Sequence, residues 1–370
     1  MNFDLSEEDE MLKALAERFV ADRYDQERRR RYQASDIGFS PENWHLLGEI
    51  GIIASLFDAA DGGLGIGYPG LATMFEALGA GLVVEPLVEN AVVPGSLLAR
   101  IAPDPLKAEW LAKLIGGNAR LALAHRELAA RHNLAWVETR ARRNGSGVIL
   151  SGAKSLVPAG EGVDAYLVSA RVSGAVGDRD GIALFLVDAG TPGLGVRPWQ
   201  LVDGSVAAAL TLDNVPVPQD HCLNGGLDEI EAALERGAFL NCAEALGIME
   251  RLYADTLEYL RTRTQFGTAL GSFQALQHRM VAQYAKLEQS RALLNLATAT
   301  TETGARSRAV QGARAFIADA SLFFGHEMIQ MHGAMGVTDE LIIGHGHKRL
   351  LLLSRWPEDA SAALDRYAAG

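Results

Sequence analysis

Apolar residues along the chain fall into three successive regimes. From Ser6 to about Asn118 they recur at helical spacing, with Met11, Leu12, Leu15, Phe19 and Val20 in one stripe and Trp44, Leu47, Ile50 and Ile53 in another, which predicts amphipathic helices. Ser6 with Asp9 three residues on, and Ser40 followed by Pro41, read as helix starts. A side-chain oxygen can accept from the first free N–H groups, and proline suits the first helical turn. The glycine loop Asp61-Gly62-Gly63-Leu64-Gly65-Ile66-Gly67 then leads into a helix resuming near Tyr68.

Near Arg120 the period shortens. Leu121 to Ala124, Trp136 to Arg142, Val148 to Leu150, Tyr166 to Ala170, Ile182 to Val187 and Ala207 to Leu212 read as strands, and Asn144-Gly145 marks a hairpin. Short strands without intervening helices predict a barrel or sandwich rather than a parallel sheet. From about Leu227 to Tyr367 helical spacing returns, in segments near 229–265, 272–303, 305–332 and 339–355. Gly267 is the expected stop of the first and Ser272 the expected N-cap of the second. The predicted fold class is multi-domain α and β: an N-terminal helical domain over 1–118, a small middle β-barrel domain over 119–226, and a C-terminal four-helix bundle over 227–370.

Composition narrows the function classes. With 48% hydrophobic residues in 370 the chain can bury large cores, and its net charge of −12 disfavours nucleic acid, which needs clustered positive charge. Arg28 to Arg31 is the one dense basic run and reads as a solvated helix face. Cys222 and Cys242 make neither a disulfide framework nor a zinc site, and fit a reducing cytoplasm. Acids within the first ten residues do not suit a signal peptide, and no run reaches the ~18 apolar residues of a membrane span; a soluble, cytoplasmic protein is expected.

Most motif-like features carry no chemistry. Gly63-Leu64-Gly65-Ile66-Gly67 has helices on both sides rather than the strand–helix context of a dinucleotide fingerprint. His345-Gly346-His347 lacks a third ligand at metal spacing, so no metal is expected. No Gly-x-Ser-x-Gly elbow occurs. Two segments stand out. In Arg263-Thr264-Gln265-Phe266-Gly267, continuing to Phe273-Gln274, an Arg fork at a helix end can bind phosphate and the Phe can cover a ring edge, although an ordinary helix-terminal cation reads the same way. In Gln330-Met331-His332-Gly333-Ala334-Met335-Gly336, small residues let a backbone or flat ligand approach, or simply end a helix.

These segments, with the glycine loop at 62–67, occur in the order and approximate spacing of the acyl-CoA dehydrogenase family, which the chain resembles over nearly its whole length. The resemblance implies FAD lying between the β domain and the bundle and reaching a neighbouring subunit. Arg263, Gln265, Phe266, Gln274, Gln330, Gly333 and Ala334 would hold its pyrophosphate and adenosine. It implies an acyl-CoA substrate, α,β-dehydrogenation and electron transfer to an electron-transfer flavoprotein. There are departures. Where catalytic members carry a Thr-Glu-Pro-Gly-x-Gly-Ser loop against the flavin, this chain has Ala124-His125-Arg126-Glu127-Leu128-Ala129-Ala130. The usual Trp-Ile-Thr after Gly-x-Lys is Leu156-Val157-Pro158.

The catalytic base is the least defined part. A carboxylate must take the α-proton in a dry cleft. Spacing from Arg349 brings Glu358 to the position many members use, though Asp359 and the missing Gly-Thr suggest a solvated segment. The alternative position on the first bundle helix is Gly237, with Glu235-Arg236 two residues early and Glu244 seven residues on. Kept cofactor segments beside an altered ring loop resemble the small subunits of heteromeric acyl-CoA dehydrogenases, which pair with a larger paralogue. This implies a dimer or tetramer, the alternatives being a self-sufficient homo-oligomer using Glu358 or a non-catalytic assembly subunit.

Overall fold

The computed structural model describes residues 5–145 and 147–369. Helices α1 (Glu7–Arg23), α2 (Gln26–Gln33), α3 (Pro41–Glu49), α4 (Ile52–Ser55), α5 (Tyr68–Ala80), α6 (Val93–Ile101) and α7 (Asp104–Ile115) come first. Strands β1 (Leu121–Ala124), β2 (Arg140–Asn144), β3 (Gly147–Pro158), β4 (Ala165–Arg171), β5 (Ile182–Asp188), β6 (Leu194–Gln200), β7 (Val206–Pro218) and β8 (Cys222–Leu223) follow. The C-terminal part holds α8 (Leu227–Thr262), the short pair β9 (Thr264–Gln265) and β10 (Thr268–Ala269), then α9 (Gln274–Ala299), α10 (Thr303–His332), α11 (Ile342–Leu353) and α12 (Ala360–Ala369).

Local chemistry sets the helix starts. The Asp9 N–H donates to Ser6 Oγ at 3.1 Å while the Ser6 N–H donates back to the Asp9 carboxylate at 3.3 Å, a reciprocal cap. Ser40 Oγ accepts from the Asn43 N–H at 3.3 Å. The stripe on α1 is narrower than its apolar residues suggested: Leu12, Ala16 and Phe19 are buried whereas Met11 is 73% exposed.

By compactness the chain forms two units, one of Met1–Arg28, Gly67–Val83 and Ala238–Gly370, the other of Arg29–Ile66 and Val84–Gly237. In the second, β1 to β8 bond into one sheet in the order β6-β7-β3-β2-β4-β5-β8, with β1 parallel to β4. Ala122, Leu150, Tyr166, Phe185, Leu210 and Val215 are among the residues of its common core. The hairpin expected at Asn144-Gly145 joins β2 and β3, with Asn144 opposite Gly147. Strand β6 was not expected. It is an edge strand, exposed along most of its length and carrying Gly195 and Pro198, so it lacks the apolar alternation that betrays a strand, and an edge tolerates proline. Asn90, fully buried in a π-helical turn at Val88–Val92, donates to the carbonyls of Leu121 at 2.8 Å and Ala159 at 3.1 Å, tying helix to sheet.

In the first unit, α5 and α8 cross backbone to backbone. A Cβ on Gly79 would lie 2.3 Å from the Glu244 carbonyl oxygen, and one on Gly247 2.0 Å from that of Glu76, so the crossing requires both glycines. Helices α9, α11 and α12 pack on α10. Thus α12 adds a fifth helix beyond the four expected, and it is what encloses Glu358.

Candidate cofactor site

Helix α8 ends at Thr262 rather than at Gly267. The chain then makes a tight hairpin, with Gln265 opposite Thr268 and Thr264 opposite Ala269, closed by the Leu270 N–H on the Arg263 carbonyl at 2.9 Å. Its two-residue turn is Phe266-Gly267, with φ of +55° and +82°; two positive φ values are what such a turn demands, and they are costly for phenylalanine. Phe266 is nonetheless 93% exposed, its ring edge-on to Phe273 at 6.3 Å. Arg263 is exposed, and its side chain has no hydrogen-bond or ion-pair partner among the described residues. The Gln265 amide turns back to the Thr264 carbonyl at 2.7 Å. Ser272 donates to the Ala269 carbonyl instead of capping α9, whose N-cap is Phe273, and Gln274 opens that helix exposed.

The second predicted segment lies beside the first. Tyr259 of α8 stacks on His332 at the end of α10, ring centres 4.3 Å apart, and the imidazole also bonds the Met328 carbonyl at 2.9 Å; burial lowers its pKa. Gly333, at φ +58°, donates its N–H to the Gln330 carbonyl, and a Cβ there would meet nothing within 4 Å. Gln330, Gly333 and Ala334 are all exposed. Gly336 is different: a Cβ would come within 2.6 Å of the Ile329 carbonyl, so packing explains it. One edge of the first unit therefore presents an unpaired guanidinium, an exposed aromatic ring and an open helix end.

In the β domain the loop that departs from the family pattern is tightly held. Lys154 Nζ lies 2.7 Å from Glu127 Oε1, 3.1 Å from Ser169 Oγ and 3.2 Å from the His125 carbonyl, with no solvent exposure. Glu127 also accepts from the Glu138 N–H at 2.6 Å, the Thr139 N–H at 3.0 Å and the Thr139 hydroxyl at 2.6 Å. Burial opposes ionisation of Glu127, but the Lys154 charge and these hydrogen bonds outweigh it and hold the carboxyl below its usual range. Burial, assisted by the Lys154 charge, drives His125 down to about 3, so its ring is neutral and shares a 2.8 Å hydrogen bond with Ser169. Residues of both ring-loop segments, Glu127-Leu128 and Gly152 to Ser155, line one cavity of about 920 Å³.

The carboxylates considered as bases are both ion-paired within the first unit. Glu244, 7% exposed, receives Arg349 bidentately at 2.6 and 3.0 Å. Glu358 is 6% exposed rather than solvated, pairs with Arg366, and lends its carbonyl to Arg314. Asp359 caps α12 through the Ala362 N–H at 2.9 Å. At Gly237 a Cβ would press on Val88 and Val93 at 3.1 and 3.0 Å, leaving little room for a longer side chain, and Arg236 is committed to the Leu56 carbonyl at 2.5 Å. His347 meets not His345 but His326, ring centres 4.6 Å apart.

Comparison with known proteins identifies the family. Family profiles for the N-terminal, middle and C-terminal domains of acyl-CoA dehydrogenase match residues 6–118, 122–215 and 224–356. The chain belongs to the acyl-CoA dehydrogenase family. It is similar to acyl-CoA dehydrogenase FadE27 of Mycobacterium tuberculosis, 28% identical over 92% of this chain and 90% of that protein. The L-prolyl-[peptidyl-carrier protein] dehydrogenase of a Serratia strain is 27% identical over 92% and 90%. Among solved structures it resembles the Tcur3481-Tcur3483 steroid ACAD variant, with a TM-score of 0.87, 29% identity and coverage of 98% and 97%. The ChsE4-ChsE5 complex from Mycobacterium tuberculosis gives a TM-score of 0.86, 26% identity and coverage of 100% and 98%. No helix among the described residues is long and apolar enough to cross a membrane.

Proposed function

We propose that this chain is the small subunit of a heteromeric, FAD-dependent acyl-CoA dehydrogenase, acting in the cytoplasm beside a larger paralogue as part of a dimer or tetramer. Electrons would pass to an electron-transfer flavoprotein. The observation that carries the reading is the unsatisfied edge of the first unit, where the Arg263 side chain has no partner among the described residues and Phe266 is held outward at an unfavourable φ. Backbone strain and a free guanidinium on one hairpin make sense where a ligand or another chain completes them. Arg263 suits a pyrophosphate through its planar fork of donors, Phe266 a ring edge, and the open space at Gly333 with Gln330 and Ala334 an adenosine. Gln265 flanks the hairpin turn and Gln274 opens α9.

When bound, FAD supplies the acceptor for the hydride that leaves the β-carbon of the thioester. This chain's own residues hold and orient: the Glu127–Lys154 network fixes the ring-side loop, and the hairpin grips the phosphates. Proton removal from the α-carbon falls to the larger subunit, because Glu244 and Glu358 are each occupied by arginine. The oxygens of such a carboxylate face the guanidinium rather than a substrate. The domain division at 118/119 and 226/227 goes with this assignment. The Gly344-His345 to Lys348-Arg349 stretch favours the pimeloyl-CoA dehydrogenase type of small subunit, and the ChsE4-ChsE5 likeness is compatible with two-chain assembly.

Co-expression with the larger paralogue, followed by flavin-per-chain measurement, tests the reading. Arg263→Ala in the assembled enzyme is expected to retain flavin roughly 10- to 100-fold less tightly, the worth of a charge-assisted contact. Full flavin content and acyl-CoA-driven bleaching by the chain purified alone would refute the small-subunit assignment.

A further inference from the structure

The charges of α9 are spent within the chain. Arg279 makes a bidentate pair with Glu327 of α10 at 2.8 and 3.0 Å, and Lys286 lies over the Phe323 ring at 5.1 Å. Arg291 reaches Glu250 of α8 at 2.5 Å and Glu288 at 3.6 Å. What α9 turns outward is different: none of its exposed residues is Asp, Glu, Lys or Arg. That side carries alanines and glutamines, with Val281 and Tyr284 at 65% and 50% exposure, while the buried side itself includes Gln283 and Ser290. A helix lacking a charged face is normally covered on both sides, and depletion of charged residues marks the middle of an interface.

The order of the outward residues indicates what covers them. Ala275, His278, Ala282, Ala285, Gln289 and Ala292 are all exposed and follow one another at alternating three- and four-residue steps, the seam of a helix pair. Read from either end, that seam runs small, polar, small, small, polar, small. Laid antiparallel on its own copy, it sets Ala275 against the partner's Ala292 and Ala282 against the partner's Ala285. His278 then meets the partner's Gln289, a polar pair able to fix the register. The next step of the seam, Leu296, opens into a hollow of about 780 Å³, with Gly312 and Phe316 of α10 and Leu364 and Tyr367 of α12 among its walls. A Cβ on Gly312 would lie 3.1 Å from the Tyr367 ring, so glycine there seats the ring, and Leu296, Leu364 and Tyr367 stay exposed.

We propose that α9 and the hollow beside it form a twofold interface with a second copy of this chain. Over its 26 residues α9 is roughly 39 Å long. With the hollow it offers on the order of 600 Å² per copy, the lower end of what a stable pair of chains buries. A short peptide would fill the hollow and leave the N-terminal half of the seam bare. The Arg263 hairpin, proposed to hold FAD, contributes no residue to the seam. Two heterodimers joined in this way make a tetramer with both small subunits at its centre; that count rests on the small-subunit reading, whereas the self-contact does not.

Sedimentation of the full chain purified alone is the test, and a dimer is expected at micromolar concentration. Ala285→Glu, at an exposed helical position, buries two like charges in the seam and should raise the dissociation constant roughly 100-fold or more. Ala282→Arg should do the same, and mixing the two variants should restore dimers, because the opposite charges then face each other across the axis. A chain that stays monomeric, a dimer unmoved by either substitution, or a mixture that stays monomeric overturns the proposal. Release of the larger paralogue from the co-expressed enzyme by both substitutions would make that chain the occupant and the homotypic contact wrong. In the co-expressed enzyme Ala285→Glu is expected to give heterodimers that keep their flavin, and Arg263→Ala to lose flavin while keeping the α9 contact. A chain that dimerises through α9 yet never joins a larger paralogue would sink the small-subunit reading and leave this interface standing.

Discussion

The β-domain network and the hairpin edge treat charge in opposite ways. Lys154 and Glu127 are buried, and every polar contact they need comes from their own domain: Ser169, Thr139, Glu138 and the His125 carbonyl. Arg263 and Phe266 are exposed; the guanidinium has no hydrogen-bond or ion-pair partner among the described residues, and the ring meets only the edge of Phe273. A buried ion left unpaired costs several kcal/mol, so evolution can keep it only fully satisfied. An exposed cation costs nothing to leave free, and its neighbours' strain then has to be explained by something outside. The loop that looks most altered in sequence is thus the better held, and the segment that looks best kept is incomplete.

The comparison can be broken at its buried side first. Lys154→Met leaves the Glu127 carboxylate stranded, and chemical denaturation is expected to show a loss of about 3–5 kcal/mol. Adding Glu127→Gln, which keeps an acceptor for Thr139, should recover much of it. A loss below about 1 kcal/mol would mean the pair is not the lock described.

Glu76 is an intermediate case, a carboxyl at the α5–α8 crossing that makes no hydrogen bond among the described residues. Burial, then the Glu250 charge, raises it from 4.5 to about 7 against the pull of Arg291 and Lys13. The folded state therefore binds its proton more tightly than the unfolded chain does, and stability falls as pH rises from about 4.5 to about 7, levelling off above. Glu76→Gln should remove that slope and stabilise the protein at pH 8 by on the order of 2 kcal/mol. Parallel pH profiles for the two proteins would count against the assignment.

Glu244→Gln and Glu358→Gln sharpen the contrast on the functional side. Each weakens an arginine pair and should cost about 1–2 kcal/mol of stability, while flavin reduction in the assembled enzyme stays near its normal rate. A fall of roughly 10²–10⁴-fold in reduction would instead make that residue the base. The smallest effect is expected from Phe266→Asn. Asparagine tolerates positive φ, so stability should hold or rise by up to about 1 kcal/mol, whereas flavin retention should drop. Unchanged retention would leave the outward ring without a role.

Much of this was legible in the residues themselves. Ser6, Ser40 and the β2–β3 hairpin form where their turn and cap chemistry predicts, because such signals act over three or four residues. The long helices lie close to their periodic segments. The errors sit where the chain folds back on itself. Gly267 reads as a helix stop and Ser272 as a cap, but the chain pairs with itself across the Phe266 turn. Glu358 reads as solvated until α12 folds over it and brings Arg366.

The sequence by itself determined the helix–sheet–helix order and the family, and supplied the short list of candidate cofactor residues, since periodicity, capping and motif spacing are local. Only the tertiary structure decided which charges are spent. Lys154 meets Glu127 across 27 residues and Arg349 meets Glu244 across 105. Whether a charged side chain ends paired inside or free at an edge depends on what the fold carries to it. No pattern along the chain encodes that distance.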